Sequence, residues 1–564
     1  MRRSWSWLPC APMGTAALPI ETPFALPGAL PSWPASDGGF ATGVIDLGGL
    51  EVRQVTTFAK VWSTTHGGED GQGATFFEPA PVPAGFSVLG HYAQPNNRPL
   101  FGRVLVARDA SSGTTTGGAS PFLAPPLDFT LVWSSPDDAA SFWLPIAPEG
   151  YKAVGVLVTA TKEKPALDEV RCVRADFTDA CEAEEAVWSS GDKDGGFSAV
   201  TLRPAVRGID ARGVHAGTFL AQSNNGLAAS TSVVACLKNT SSASYTSSAM
   251  PDLAQVNALL AAYAPQVYLH PDESYFPSSV PWFFDTGALL YDKGNPTNPT
   301  PVARDGSNLP RGGGNDGAYW LDLPADKEQR ERVKRGDVAG GAKAYAQAKP
   351  MMGGTATDLV LWLFYPFNGP ARAKVGPLTV ALGRIGEHVG DWEHVTLRVS
   401  NFDGGLVRAY FSQHSAGEWV DASRLEYMDG GNNSNRPVAY ASRHGHAFYP
   451  RAGTVLQGDA RLGVGIRNDC ARGSVMDAAA GRCEVVSAEY LGSGVVVEPP
   501  WLGFDREWGP REEYDLGREI NRVARFLPRS ARERLAKLVN KLLVGEGPTG
   551  PKMHGNWRND EKES

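Results

Sequence analysis

A motif recurs three times in the first 220 residues: VWSTT from Val61, VWSSP from Val132 and VWSSG from Val187. The first two copies continue in parallel. Pro83-Ala-Gly85-Phe-Ser-Val-Leu-Gly90 matches Pro148-Glu-Gly150-Tyr-Lys-Ala-Val-Gly155, Arg98-Pro99 matches Lys164-Pro165, and 104–109 matches 170–176. The third copy is degenerate, with Arg203-Pro204 and then Gly213-Val-His-Ala-Gly217-Thr-Phe. Short runs broken by Gly and Pro read as strands with forced bends. One such unit cannot bury an apolar face alone, so three copies must share one. The economical solution is a three-unit β-prism-like domain over residues 23–221, after a variable N-terminus at 1–22. Trp62, Trp133 and Trp188 then become equivalent core positions, with carbohydrate platforms as the competing role.

The rest of the chain changes character. Residues 222–251 are rich in Ser, Thr, Asn and Ala and read as a linker. Asp252 stands at an N-cap before Leu253, Val256, Leu260 and Tyr263, which share a helical face. Strand-like runs then recur at 266–270, 359–365, 391–399, 406–413, 438–442 and 485–491. They predict a β-sandwich-like domain over 252–510, so the fold class is mainly β. The extension 511–564 reads as helices at 514–527 and 530–543, then a loose tail. In the second helix Leu535, Leu538, Val539 and Leu542 form a stripe among Arg529, Arg532, Arg534, Lys537 and Lys541. Such a stripe suits an anionic membrane surface or packing on the β domain.

Bulk properties exclude several classes. Fifty-three basic against 61 acidic residues, a net charge of −8, argue against nucleic acid as a partner. No apolar run reaches about 18 residues, so no transmembrane segment is expected. Six cysteines without a C-x-x-C pair form neither a disulfide framework nor a zinc site, and free thiols in a reducing compartment are expected. The start MRRSWSWLPCAPMGTAALPI is interrupted by Pro9, Pro12 and Gly14, giving no clear signal peptide, with a transit peptide as the alternative. Sequons stand at Asn239 and Asn432.

The densest polar cluster is GEHVGDWEHVTLRVSNFDG, 386–404. On a strand, Asp391, Glu393, Val395, Leu397 and Val399 share one face. Two carboxylates opening a buried face need a partner. His388 lies one Gly-containing turn earlier, so His388, Asp391 and Glu393 offer one nitrogen and two carboxylates to a divalent cation: Mg, Ca, Mn or Zn. Strand capping and metal-free acid/base chemistry are the alternatives. His394 falls on the opposite face. His414, and His444 with His446 sharing a strand face, are candidate ligand-binding residues beside Trp392. His270, Asp272 and Glu273 form a secondary candidate cluster, with loop capping equally open. No nucleophile elbow, P-loop, dinucleotide fingerprint or H-E-x-x-H motif is present.

The motifs FATGVIDLGGLEV, FWLPIAPEGYKAVG, HPDESYFPSSVPWFF, FYPFNGP, GEHVGDWEHVTLR, YFSQHSAGEW, GIRNDCA and GPTGPKMHGNW resemble the plant vacuolar protein sorting-associated protein 62-like family, over about residues 23–557. The resemblance implies delivery of cargo to the vacuole and no particular activity or ligand. FWLPIAPEGYKAVG is also similar to adaptor-binding repeats of large vacuolar-sorting lipid-transfer proteins. More distantly, His388, Asp391, Trp392 and Glu393 resemble the G-H-R-H-D-W-E signature of the necrosis- and ethylene-inducing-like cytolysins. There the His, Asp and Glu line a cation site on a β-sandwich that engages sphingolipid headgroups. Here Glu387 and Val389-Gly390 depart from that signature.

The expected function is therefore a non-enzymatic binding or adaptor protein of endomembrane or vacuolar trafficking, with a divalent-cation-dependent site for a lipid or glycan headgroup. Trafficking proteins are the expected partners, and the expected place is cytoplasmic, peripheral on endomembrane or vacuole. The alternative is a metal-dependent hydrolase using His388, Asp391 and Glu393.

Overall fold

The indoles of Trp62, Trp133 and Trp188 meet as a nearly equilateral triangle, with ring centroids 6.1, 5.8 and 5.7 Å apart. Each belongs to the first strand of a three-stranded antiparallel sheet. The sheets are Phe58–Thr64, Ala74–Pro79 and Tyr92–Pro95; Asp128–Ser134, Ser141–Ile146 and Leu157–Thr159; and Cys181–Ser189, Phe197–Pro204 and Phe219–Ser223. The computed structural model describes residues 18–110, 120–191, 196–223, 233–241, 249–414, 416–428, 434–459, 464–479, 481–511, 515–543 and 548–563.

The repeated valine explains the repeated tryptophan. The pairing register skips Val61, Val132 and Val187, so each is the extra residue of a β-bulge. A bulge breaks the in–out alternation. Adjacent Val and Trp therefore both reach the shared core in all three units. Trp62 and Trp133 face Phe76 and Phe142 across their hairpins, each at 5.5 Å. The third unit has Ala199 at that position, and Phe197 fills the space, 5.5 Å from Trp188. Trp188 is buried and the other two are half-buried, so the core role holds for all three.

Close approach on the pseudo-threefold axis forces small residues. A Cβ on Gly90 would lie 2.8 Å from Gly155 Cα, and one on Gly155 would lie 2.6 Å from Thr218 Cβ. The strand registers make Thr218, not Gly217, the structural counterpart of the two glycines. Arg203-Pro204 likewise ends the middle strand of its sheet and does not match Arg98-Pro99.

The second half is built on a six-stranded sheet in the order Ala416–Asp421, Leu406–Gln413, His388–Ser400, Ala356–Asn368, Ala344–Met351, Cys483–Ser487. All neighbours are antiparallel except the last pair. One face packs Leu359, Leu361, Leu363, Val395 and Leu397 against Val267, Ala439, Phe448 and Met476 of a facing four-stranded sheet. Helix Leu253–Tyr263 joins this core, closed by an Asp252/Gln255 capping box. The other face packs Val360, Trp362, Phe364 and Trp392 against Phe283, Trp501 and Trp508. The continuous apolar run 359–367 follows from burial on both faces.

Several expectations need correction. Residues 24–40 join the second domain: Phe24, Leu26, Trp33 and Phe40 pack on its core, and Trp33 Nε1 donates to the Asp403 carbonyl at 2.9 Å. The expected linker supplies a strand, Cys236–Lys238, which pairs with Thr178–Asp179 and Gly213–Val214. Pairing Asp179 with Cys236 brings Cys181 into a disulfide with Cys236 across 55 residues, so these two are not free thiols. Cys172, Cys470 and Cys483 are free. Asn239 of the first sequon is buried and donates to the Gly353 carbonyl. Asn432 and the candidate signal or transit segment 1–17 lie outside the described residues. Among the described residues no helix is long and apolar enough to cross a membrane.

In helix Arg529–Leu543, Leu535 and Val539 are fully buried in a cluster with Ala373, Val375 and Ile466, and Leu538 packs against it. This part of the stripe is used in packing on the β domain, and the Leu542 side chain lies outside the described residues. The tail is not loose either. Residues 548–563 run across the sheet, where acidic side chains neutralise buried cations. Asp560 pairs with Arg398 at 2.5 Å, and Glu561 pairs with His394 Nε2 at 3.1 Å and Lys349 at 3.7 Å.

Two predictions follow from this packing. Trp188→Ala removes one corner of the aromatic triangle and should cost about 3–5 kcal/mol in denaturant unfolding. Burial alone would raise the Glu561 carboxyl, but Lys349, His394 and Thr396 outweigh it and hold it at about 2, below its ordinary 4.5. A depressed carboxylate contributes stability above about pH 4.5 that is lost as pH falls towards 2. Glu561→Gln should therefore lower stability at pH 7 by a few kcal/mol and flatten the melting-temperature profile across that acid window.

Candidate functional site

Strand His388–Ser400 delivers Asp391 and Glu393 to the sandwich face, where register sets Asp391 opposite Tyr365 and Glu393 opposite Leu363. The period of two places both carboxylates beyond the apolar run Val395, Leu397, Val399, as the alternation implied. At the mouth, Gly390 adopts φ +69°, and a Cβ there would meet the Trp508 carbonyl at 2.5 Å. This turn lets His388 Nδ1 donate to the Gly390 carbonyl at 2.7 Å.

Asp391 is held by His446. Nδ1 of His446 lies 3.1 Å from Asp391 Oδ2, and Nε2 lies 3.0 Å from the Tyr275 carbonyl. A carbonyl only accepts, so Nε2 carries a proton. The ring is completely buried and stacks on Tyr365 at 3.8 Å and 6°. Burial pushes the Asp391 carboxyl up, but the His446 hydrogen bond and the fields of His388 and His414 outweigh it, and its pKa falls below the ordinary value. The charged Asp391 therefore faces Nδ1 of this ring across a single hydrogen bond.

Glu393 goes the other way. Burial and the Asp391 charge push it well above its usual range, against hydrogen bonds from Ser412 Oγ and the His414 backbone. Two adjacent carboxyls thus divide into one charged and one neutral group. His414 Nδ1 stands 4.0 Å from Glu393, and burial lowers its pKa while Asp391 and Asn468 favour its charged form.

Backbone strain gathers here. His414, His444 and His446 have φ of 64°, 69° and 55°. Left-handed residues other than glycine are uncommon, and strain of this kind clusters at functional sites. His444 and His446 therefore sit in the turn after strand Val438–Ala441 and do not share a strand face as expected. Around the same acids, the hydroxyls of Tyr365, Tyr449 and Ser442 and the Asn468 amide nitrogen are buried without hydrogen-bond partners. Burial pushes both phenols up, and for Tyr365 the Asp391 charge adds to it.

The structure thus groups His388, Asp391, Glu393, His414 and His446 in one cluster. It does not bring Trp392 there. That ring points to the opposite face and stacks on Trp501 at 5.7 Å, and His394 beside it bonds Glu561. His444 contacts the rim, where its backbone N–H donates to Glu273 at 2.7 Å and Nδ1 to the Pro370 carbonyl at 3.2 Å. Glu273 also accepts from the Ser274 and Tyr275 backbone, His270 Nδ1 accepts from Asp272 N–H, and Asp272 pairs with Arg443 at 3.4 Å. These three residues hold a loop together. Among the described residues, no three His, Cys, Asp or Glu side chains are arranged to hold a metal ion.

Sequence reasoning missed Tyr365, Ser412, Tyr449 and Asn468. Ser412 was within reach, since it alternates with His414 in YFSQH. The others depend on register between strands distant in sequence. One test addresses the divided pair. A carboxyl kept neutral in the fold weakens stability progressively as pH rises above about 4.5, its ordinary value. Glu393→Gln, neutral at every pH, should gain on the wild type between pH 5 and 8 and match it most closely near pH 4; a melting-temperature difference flat with pH would show Glu393 charged.

Similarity to known proteins agrees with the motifs. Putative vacuolar protein sorting-associated protein TDA6 of Saccharomyces cerevisiae is 33% identical over 110 residues, 17% of this chain and 22% of that protein. Vacuolar protein sorting-associated protein 62 of the same yeast is 24% identical over 213 residues, 34% of this chain and 40% of that protein. The chain therefore matches well under half the length of either relative. Among solved structures, GNIP1Aa from Chromobacterium piscinae aligns over 38% of this chain and 40% of its own, at 17% identity and a TM-score of 0.27. NLPPya in complex with glucosamine aligns over 34% of this chain and 67% of its own, at 15% identity and a TM-score of 0.20. The family model described as vacuolar protein sorting-associated protein 62 matches residues 20–561, and this chain belongs to that family.

Proposed function

We propose that this chain is a non-catalytic binding or adaptor protein of vacuolar sorting, and that the cluster around Asp391 and Glu393 is its recognition site for a glycan or lipid headgroup. One observation carries the reading: two carboxyls side by side on a buried strand face, enclosed by three histidines and several unpartnered buried hydroxyl and amide groups. Buried polar atoms without partners are unusual unless something binds them. A polyhydroxylated headgroup offers the matching donors and acceptors.

The histidine chemistry favours binding over catalysis. Both ring nitrogens of His446 and both of His444 are engaged in hydrogen bonds, and so is Nδ1 of His388. Rings held in this way are fixed in orientation, as a preorganised binding wall requires. The donor types of His388, Asp391 and Glu393 suit a divalent cation, although their side chains would have to draw together to share one. An ion bridging protein carboxylates and sugar hydroxyls would make recognition cation-dependent.

Calorimetric titration of the chelator-stripped full chain with Ca²⁺, Mn²⁺ and Zn²⁺ tests the site. One ion per chain is expected to bind, with Asp391→Asn weakening it by at least about tenfold, because second-shell and ligand losses have effects of that size. A glycan array and headgroup-bearing vesicles, each with and without chelator, then read recognition. Binding of no ion would remove the cation, and equal glycan and vesicle binding by wild type and Asp391→Asn would remove the site.

A further inference from the structure

Between the β-prism domain and the central sheet lies a second, independent cavity of about 380 Å³. Its wall comes from three parts of the chain. The β-prism domain contributes Arg98, Arg103, Glu184 and His215, the sheet contributes Arg398, Arg408 and Trp419, and the tail contributes Glu563. This volume falls in the range of small-molecule sites, roughly 300–1,000 Å³.

The charges of this wall do not all find partners. The acids do: Glu184 meets Arg408 at 3.2 Å, Glu185 and Asp421 meet Arg98 at 2.9 and 3.3 Å, and Glu563 meets Arg203 at 3.2 Å. Some guanidinium donors are left over. Arg103 reaches Asp403 only at 3.6 Å, and its Nε and Nη1 have no hydrogen-bond partner. Arg398, with 1% of its side chain exposed, is held by Asp358 and Asp560, yet its Nη1 has no partner. Nε2 of His215 is likewise unpartnered, 3.8 Å from Glu184. A guanidinium has five N–H donors and no acceptor, so what is missing on this wall is an acceptor, most simply an anionic one.

We infer that the interdomain cavity binds a small molecule bearing an oxyanion, a phosphate or a carboxylate, through Arg103 and Arg398. Leu105, Phe402 and Met352 on the same wall give its remainder an apolar surface. Because both domains line the cavity, an occupant bound there would also clamp one domain to the other. This site is on the β-prism side of the sheet domain and uses none of the acid and histidine groups described above.

The test uses the full chain. Melting temperature and calorimetry are followed with inorganic phosphate, a sugar monophosphate and succinate, each against chloride at matched ionic strength, since screening alone must not produce the response. A saturable rise in melting temperature is expected with at least one probe, growing with the logarithm of its concentration. Arg103→Gln should weaken that binding by at least about tenfold, and Arg103→Lys, which keeps the charge but loses the planar fork, should weaken it less. Since Arg103→Lys is the milder change, it reports even if the glutamine variant folds poorly. Preference for phosphate over succinate assigns the phosphate class, and the reverse assigns the carboxylate class. Sedimentation with vesicles carrying a phosphoinositide, when the soluble sugar phosphate fails to bind, identifies a lipid headgroup as the source. No response to any probe beyond chloride, as expected if water alone fills the cavity, overturns the inference. So does equal affinity in wild type and both Arg103 variants.

Discussion

A single buried guanidinium ties the second domain together. Arg398 stands directly across the sheet ladder from Asp358, and the two form paired hydrogen bonds of 2.7 Å at essentially zero exposure. Asp560 of the tail adds a third bond, and the guanidinium lies 4.5 Å from the Trp419 ring centroid. Arg408 lies over the same ring at 4.3 Å. A buried cation is tolerable only when its partners are in place, and breaking such a pair commonly costs about 3–5 kcal/mol. The tail is therefore obliged to return to the sheet: without Glu561 the buried Lys349 would lose its carboxylate, and without Asp560 Arg398 would lose one of its hydrogen bonds.

This requirement explains what could and could not be read in advance. The threefold repeat was legible because packing three units around one axis demands equivalent residues, and equivalence leaves a visible period. The bulges at Val61, Val132 and Val187 are the physical content of that period, since only a break in alternation turns neighbouring Val and Trp to the same core. The third copy was misaligned by one residue because Thr218, not Gly217, occupies the axis. The sandwich strands and the Asp252 cap were local signals and were equally readable.

The failures concern partners distant along the chain. Pro, Gly and Asn among residues 548–563 made the segment look loose, yet Asp560 and Glu561 answer Arg398 and Lys349, far back along the chain. Cys181 finds Cys236 and not its near neighbour Cys172, because strand pairing sets the distance. The shared face of Asp391 and Glu393 was legible from a period of two. That face alone implies that one of two adjacent carboxyls titrates high; which one does was not legible, because it depends on burial and on His446 and Ser412, brought in from other parts of the chain.

The same sheet domain therefore treats buried charge in three ways, and the differences separate scaffold from site. Around Glu561 each charge is matched: Lys349, His394 and Thr396 all address one carboxylate. That completeness marks structural polarity, since a satisfied network gains nothing from a ligand. Around Asp391 and Glu393 the charges are only partly settled, with one carboxyl neutral and four polar atoms unmatched beside strained histidines. Around Arg103 the acids are satisfied while donors remain over. Incomplete polar satisfaction is costly in a dry interior, so it persists where a binding partner completes it. By that criterion the tail network is scaffold, and the two unfinished networks around Asp391 and Arg103 are the ones for which we propose ligands.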